Sequence, residues 1–296
     1  MKHLLPIVMI ACCWAGAAAR AQQGTLLISE VLYHARSGEA EYIELYNPTS
    51  SPIELSDYVV IRWIGDTLGA HYPLPSYEVG AHDYVALTKD AVSVASNYTV
   101  KYSSKVIECT LPPYPNTGGS VILAWSDGSV VERLDYTPSM HSPLLRNKAG
   151  IALERRDFGK PCNEVSNWFS AASTAGYGTP GYTNSQSTEM LAEETSFSLS
   201  STLVSPDGDG YQDDLTVTFS LEATGLYAQV DIWDAHGAHI RRLVDNALLG
   251  TSGNIEWDGR GNGGRALLRG RYILTIRLYN DTGTQQEIRR TVAIVD

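Results

Sequence analysis

The stretch VSPDGDGYQDDL, residues 204–215, gathers Asp207, Asp209, Asp213 and Asp214 around Gly208 and Gly210. An oxygen-rich, glycine-punctuated loop of this kind suits a hard cation such as calcium. Counted as an EF-hand loop from Asp207 it fails, because Tyr211 and Gln212 fall where an acid and a glycine belong and Thr218 replaces the bidentate glutamate. Counted from Ser205, Gly210 takes the glycine position, but Ser205 and Thr216 replace both end carboxylates. Two readings stay open. One is a shorter structural calcium cradle using Asp207, Asp209 and Asp213 with a backbone carbonyl near Tyr211. The other is a tight turn whose aspartates accept from nearby backbone amides while the glycines take positive φ.

Other chemistry-bearing residues are weaker. Gly259 to Gly264 spell GRGNGG and satisfy G-x-G-x-x-G, yet no helix follows whose N-terminus could meet a pyrophosphate, so a loop is expected. His236 and His239 flank Gly237 in an expected hairpin turn, without the helix that metal-binding histidine pairs use. His34, His71, His82 and His141 are scattered, with no G-x-S-x-G elbow or S-x-x-K run beside them. Glu30, Glu41 and Glu44 could supply an acid and base pair. On a strand, however, Glu41 shares a face with Ile43 and Leu45, whereas Glu44 shares the other with Tyr42 and Tyr46, so those two cannot meet on one substrate.

Residues 1–21 read as a cleaved signal peptide. Lys2 and His3 precede an apolar run, Leu4 to Trp14, which ends in small residues at Ala19-Arg20-Ala21. Ala11 before Cys12 offers a lipoprotein alternative. No other stretch is long and apolar enough to span a bilayer, so a mature chain without a transmembrane segment is expected. Cleavage removes Lys2 and Arg20 and no acid, moving the formal charge from -11 to -13. Such acidity argues against nucleic acid as a partner, whose phosphates demand clustered cations. Cleavage also leaves two cysteines, Cys109 and Cys162, in a chain bound for an oxidising compartment. A disulfide between them would stabilise by roughly 4 kcal/mol through loop closure; two buried free thiols are the alternative.

The elements that position these residues are strands. Leu215, Val217, Phe219 and Leu221 alternate with Thr216, Thr218, Ser220 and Glu222, as a half-buried strand requires. Tyr272, Leu274, Ile276 and Leu278 repeat the pattern. About seven such segments in about 100 residues fit an immunoglobulin-like or fibronectin-like sandwich. Residues 186–195, acidic and rich in Ser and Thr, read as a linker between two all-β halves, 24–185 and 196–296.

The second half carries Asp234 with Gly237, Ile240 with Leu243, Trp257-Asp258-Gly259, Gly264, and Gly270 with Tyr272. This pattern resembles the Ig-like domain of the flagellar hook-capping protein family. With the preceding SPDGDGYQDDL it also resembles C-terminal domains of exported Bacteroidetes-type proteins. In the first half, Ile28, Glu30 and Val31 are followed by Glu41 through Leu45 with Asn47, and then by Leu55, Ser56 and Tyr58. These residues, with the later L-E-R, N-W and G-T-P-G-x-x-N patterns, resemble the bacterial lamin tail domain across about 24–185. That resemblance implies an Ig-like sandwich without catalysis, in which Glu30, Glu41 and Glu44 are strand-surface or turn-bonding residues.

Together these readings describe an exported, non-catalytic binding or assembly protein of the cell envelope, located at the outer-membrane surface, outside the cell or in the periplasm. Its expected partner is an envelope protein or a surface glycan, met through loops carrying Tyr72, Tyr77 and Tyr114. Two other roles stay open: cargo of a secretion system whose C-terminal sandwich is the export or attachment signal, and an accessory that positions a separate secreted hydrolase.

Overall fold

The computed structural model describes residues 24–65, 67–283 and 285–295. The expected signal peptide and the alternative at Cys12 lie outside the described residues.

The chain folds as two β-sandwiches in tandem. The first contains β1 (Leu27–Leu32), β2 (Tyr42–Tyr46), β3 (Ile53–Glu54), β4 (Tyr58–Ile64), β5 (Thr67–Pro73), β6 (Glu78–Val79), β7 (Tyr84–Thr88), β8 (Val106–Glu108), β9 (Gly119–Trp125), β10 (Val130–Tyr136), β11 (Leu153–Arg155) and β12 (Trp168–Ser170), with a short helix α1 (Ala91–Asn97). Asp90 caps that helix by accepting from the Ser93 amide. One sheet runs β12-β11-β1-β2-β7-β8 and the other β10-β9-β4-β5. Between them Ile28, Val31, Ile43, Leu45, Val60, Leu87, Leu123 and Trp168 form one apolar core.

Every residue of β2 is buried. The alternating pattern expected of a strand with one wet face fails here because both faces are covered. Ile43 and Leu45 meet the core, while Tyr42 on the reverse face packs with Leu32, Val94, Tyr98 and Ala152. Residues 176–187 cross this reverse face, bringing Thr179, Gly181 and Asn184 against Glu30, Glu44 and Ser29. Gly178 is required there, since a Cβ would collide with the Tyr42 hydroxyl.

The second sandwich contains β13 (Ser196–Leu199), β14 (Leu203–Val204), β15 (Leu215–Ser220), β16 (Tyr227–Asp234), β17 (His239–Leu248), β18 (Ser252–Trp257), β19 (Gly270–Tyr279) and β20 (Gln285–Ile294). Its sheets run β13-β15-β18 and β14-β20-β19-β16-β17. They enclose a separate core of Val217, Phe219, Val230, Ile232, Trp257, Leu274, Ile276 and Val292, on the faces that strand alternation assigns to the interior. Among the described residues no helix is long and apolar enough to cross a membrane.

The two cores do not merge, and the joint between them is hydrogen-bonded. Gln186 Nε2 donates to the Leu249 carbonyl at 2.9 Å, and Gln186 Oε1 accepts from the Gly225 amide at 2.9 Å. The Thr251 amide donates to the Ser185 carbonyl, and the Ala192 amide to that of Leu221. The first residues of the expected linker are therefore buried structure, with Gln186 at 0 % exposure.

Candidate functional sites

The aspartate loop is a network of turns. Asp207 Oδ1 accepts from the Asp209 amide at 3.1 Å, and Asp209 Oδ1 from the Tyr211 amide at 2.7 Å. Asp213 accepts from Gly208 at 2.6 Å and Gly210 at 2.7 Å, one amide on each oxygen. Gly208 and Gly210 have φ of 85° and 88°, the left-handed region that glycine enters without penalty. The same fold converges one oxygen each from Asp207, Asp209 and Asp213 to within 4.8 Å of one another. Tyr211 is largely exposed, its ring in solvent.

The two cysteines are free thiols. The bridge expected between them is not made, and sheet order explains why. Cys109 directly follows β8, where its amide bonds the Thr88 carbonyl, at one edge of the six-stranded sheet. Cys162 lies at the opposite edge, its carbonyl accepting from Trp168 Nε1 of β12. Strands are spaced about 4.8 Å apart, so the two edges are on the order of 20 Å apart, whereas a disulfide needs Cα atoms within about 7 Å. Burial raises both thiols, Cys109 to about 11.

The tyrosines expected on contact loops turn inward. Tyr114 is 4 % exposed and packs edge-on against Tyr136, while Tyr72 and Tyr77 are half-buried against the same core. As short aromatic segments between prolines they cap the sandwich, and Tyr114 offers no ring face to a partner. His236 and His239 also part company: His236 is in solvent, and His239 Nε2 lies 2.8 Å from Asp231. GRGNGG is a loop, with a 3-10 turn at Asn262–Gly264 and no helix after it.

The glutamates require a correction. Glu30 and Glu44 are fully buried, not strand-surface residues, because residues 176–187 cover their face. The turn-bonding half of that expectation is what the fold uses. Glu30 accepts from Tyr42 Oη at 2.9 Å and from the Thr179 amide, and Glu44 accepts from the Gly181 amide at 2.7 Å. Glu154 of the L-E-R pattern joins them, accepting from Ser185 Oγ and the Gln186 amide, each at 2.8 Å. Burial first, then the neighbouring carboxyl charge, pushes Glu30 and Glu44 well above the ordinary carboxylate range. The separate motifs of the first half thus meet in one buried cluster. Their sequence signal was the recurrence of glutamate inside otherwise apolar strands.

One surface feature was not anticipated. Alternation that sends Val230, Ile232, Leu274 and Ile276 inward sends Gln229, Asp231, Trp233, Thr275 and Arg277 to the outer face of the five-stranded sheet. Two adjoining clefts of about 620 and 440 Å³ lie there, sharing Arg277 and Glu287. Trp233 lines the second, its Nε1 donating to Thr275 Oγ1 at 3.0 Å, so that the indole reaches from β16 toward β19. Charges in the groove are already paired. Glu287 accepts from Arg277 Nε at 3.1 Å and from Arg289 Nε at 2.7 Å. Asp231, on the same face but 1 % exposed and outside both clefts, accepts from Gln229, Arg242 and His239; although burial acts the other way, these bonds hold its carboxyl below the ordinary range.

Residues 19–138 match the family described as Lamin Tail Domain. The match covers less than half of the chain and ends before Glu154 and Thr179, so it places a lamin tail domain in the first sandwich. Among solved structures, the chain is similar to dimeric latent PorU from Porphyromonas gingivalis, at 11% identity and a TM-score of 0.28, covering 98% of this chain and 21% of that one. It is also similar to PorZ of Porphyromonas gingivalis, described as a surface component of the type-IX secretion system, at 13% identity and a TM-score of 0.27, covering 91% of this chain and 30% of that one. A third similarity, to the soluble domain of PmoD from Methylocystis sp., has 14% identity and a TM-score of 0.24 and covers 36% of this chain and 95% of that one. The chain thus spans less than a third of the length of PorU and PorZ. No curated protein matches the sequence.

Proposed function

We propose that the protein is an exported, non-catalytic module of the bacterial envelope that binds a neutral surface glycan on the outer face of its second sandwich. The observation that carries this reading is the groove over β16, β19 and β20, where Trp233 stands among charged side chains that balance in sign, Arg277 and Arg289 against Glu287 and Asp234. A saccharide presents apolar C–H faces and many hydroxyls without net charge. An aromatic ring supplies apolar contact area, and the Arg277, Arg289, Glu287 and Gln229 side chains that line the clefts keep lone pairs and N–H groups for those hydroxyls. The Ig-like architecture of the lamin tail domain supports a carrier or binding role rather than chemistry. On this reading the first sandwich, about 24–185, is a rigid mount. The second, about 196–296, is a hook-capping-type domain that carries the site. Residues 1–21 deliver the chain across the membrane.

Isothermal titration of the mature chain with neutral gluco-, manno- and galacto-hexasaccharides tests the reading. Binding of at least one is expected, with affinity lowered at least about tenfold in Trp233→Ala, a loss of about 1.4 kcal/mol. If wild-type protein binds none of the three, or if Trp233→Ala binds as tightly, the groove is not a glycan site.

A further inference from the structure

Glu154, Glu30 and Glu44 stand side by side across β11, β1 and β2, as direct cross-strand neighbours on one face of the sheet. Thr179 Oγ1 lies 3.1 Å from Glu30 Oε2 and 3.0 Å from Glu154 Oε1, but a hydroxyl carries a single hydrogen. Ser29 Oγ lies 2.9 Å from Glu44 Oε1 and 3.1 Å from Asn184 Oδ1. The orientation of Asn184 is fixed, because its Nδ2 donates to the carbonyls of Ser29 and Arg155 at 3.0 and 2.8 Å, which leaves Oδ1 as an acceptor only. Four close oxygen contacts therefore have two hydroxyl hydrogens between them. The missing two must come from carboxyl groups.

At Ser29 the only group able to supply one is Glu44. At Thr179 the choice lies between Glu30 and Glu154. Glu154 Oε2 already accepts from Ser185 and Gln186, and its Oε1 is free to take the Thr179 hydroxyl, an arrangement that favours the charged form. Glu30 Oε1 accepts from Tyr42 at 2.9 Å and from the Thr179 amide at 3.0 Å; that amide reaches Oε2 at the longer 3.2 Å, so Oε2, the less engaged oxygen, is the one to carry a hydrogen toward the Thr179 hydroxyl. We propose that Glu30 and Glu44 are held as neutral acids donating to Thr179 and Ser29, that Glu154 keeps the one charge, and that this two-proton latch clamps residues 179–186 and with them the joint to the second sandwich. The joint follows directly, because Ser185 and Gln186, which Glu154 holds, are the residues bonded to Thr251, Leu249 and Gly225.

The surroundings offer no cation to replace the protons. Among the described residues, every hydrogen bond to the three carboxyls comes from a hydroxyl or a backbone amide. The phenols of Tyr42, Tyr84, Tyr98 and Tyr182 face the cluster from β2, β7, the end of α1 and the covering segment. Lys101 sits over the Tyr182 ring, Lys105 is bonded to Asp83, and Arg155 turns to Glu132. Ionising Glu30 or Glu44 would set acceptor against acceptor in a buried site. Each of these groups has a folded-state pKa above its unfolded value near 4.5, so its contribution is complete below that value and is lost as pH rises through the folded one. The latch therefore loosens on the alkaline side.

Glutamine is a neutral analogue that keeps a donor, which makes the assignment testable residue by residue in the mature chain. Glu30→Gln and Glu44→Gln are expected to keep or raise the unfolding midpoint at pH 8 and to flatten its decline with pH. Glu154→Gln, which places an amide nitrogen among three donors, is expected to lower the midpoint by about 5 °C or more. Should Glu154→Gln not fold, infrared spectroscopy of the wild type decides: a protonated carboxyl C=O band at pH 7 that weakens in Glu44→Gln supports the assignment. Absence of that band, or glutamine variants at 30 and 44 as damaged as the one at 154, overturns it.

Discussion

Tyr227 Oη lies 2.6 Å from Ser142 Oγ, a bond that crosses from the second sandwich to the first with both residues buried. It runs beside Ser173 Oγ donating to the Leu248 carbonyl at 2.7 Å and the Gly250 amide donating to Thr174 Oγ1 at 3.1 Å. A joint built from such bonds responds sharply to the loss of one partner, because each orphaned buried group costs about 1–3 kcal/mol.

Gln186 is the position where this matters most. Gln186→Ala strands both the Leu249 carbonyl and the Gly225 amide. It is expected to split thermal unfolding into two calorimetric transitions, while Tyr227→Phe lowers the midpoint with a single transition retained. An unchanged single transition in Gln186→Ala would show that the joint is held by other means.

Two groups outside the glutamate cluster give stability opposite slopes with pH. Burial, aided by Lys148 and His34, lowers the His141 imidazole to about 3, so the folded state excludes a proton that the unfolded chain binds below about 6.5. Its contribution is lost as pH falls from about 6.5 toward 3. Glu41 is raised to about 7 by burial, which outweighs Lys89 and the Tyr114 amide. Its contribution is present below about 4.5 and is lost as pH rises to about 7. Urea unfolding across pH 4–8 is expected to show Glu41→Gln gaining on the wild type only above pH 4.5, and His141→Gln gaining only below pH 6.5. Gains of either variant that are independent of pH would refute the assignment.

The alternation of Leu215 to Leu221 and of Tyr272 to Leu278 made the second sandwich legible, since a strand with one wet face writes its orientation into its sequence. Of the two readings of Glu30 and Glu44, turn-bonding holds and strand-surface fails, for the complementary reason. A strand buried on both faces loses alternation, and the segment that covers it lies about 150 residues away in the chain. The aspartate turns were readable because Asx bonds are local. The groove over β16, β19 and β20 was not, because Trp233, Arg277 and Glu287 meet only through sheet register.

The cysteines predict silence toward thiol reagents. Both thiols are shifted upward by burial and stand at opposite edges of one sheet. Chain lacking residues 1–21 is expected to show no titratable thiol when native and two when unfolded without reductant. No thiol after unfolding would mean that they had paired.

The aspartate loop makes the last prediction, because its turn bonds and its carboxylate convergence have separable consequences. The amide bonds to Asp207, Asp209 and Asp213 hold the turn by themselves, so the loop keeps its shape in chelator. Three carboxylates within 4.8 Å nevertheless repel one another, and a bound calcium ion would relieve that repulsion. Calcium at about one hundred times its dissociation constant would add about 2.7 kcal/mol, a rise of several degrees in midpoint for a chain of this size. Magnesium, which demands a tighter octahedral shell, is expected to raise it less. Asp209→Asn keeps an acceptor for the Tyr211 amide and removes one of the repelling charges, so it is expected to equal or exceed the wild type in chelator and to lose the calcium response. Asp213→Asn gives up one of two amide bonds and is expected to lower the midpoint with or without the ion. If the wild-type midpoint ignores both calcium and chelator, the aspartates serve the turn alone.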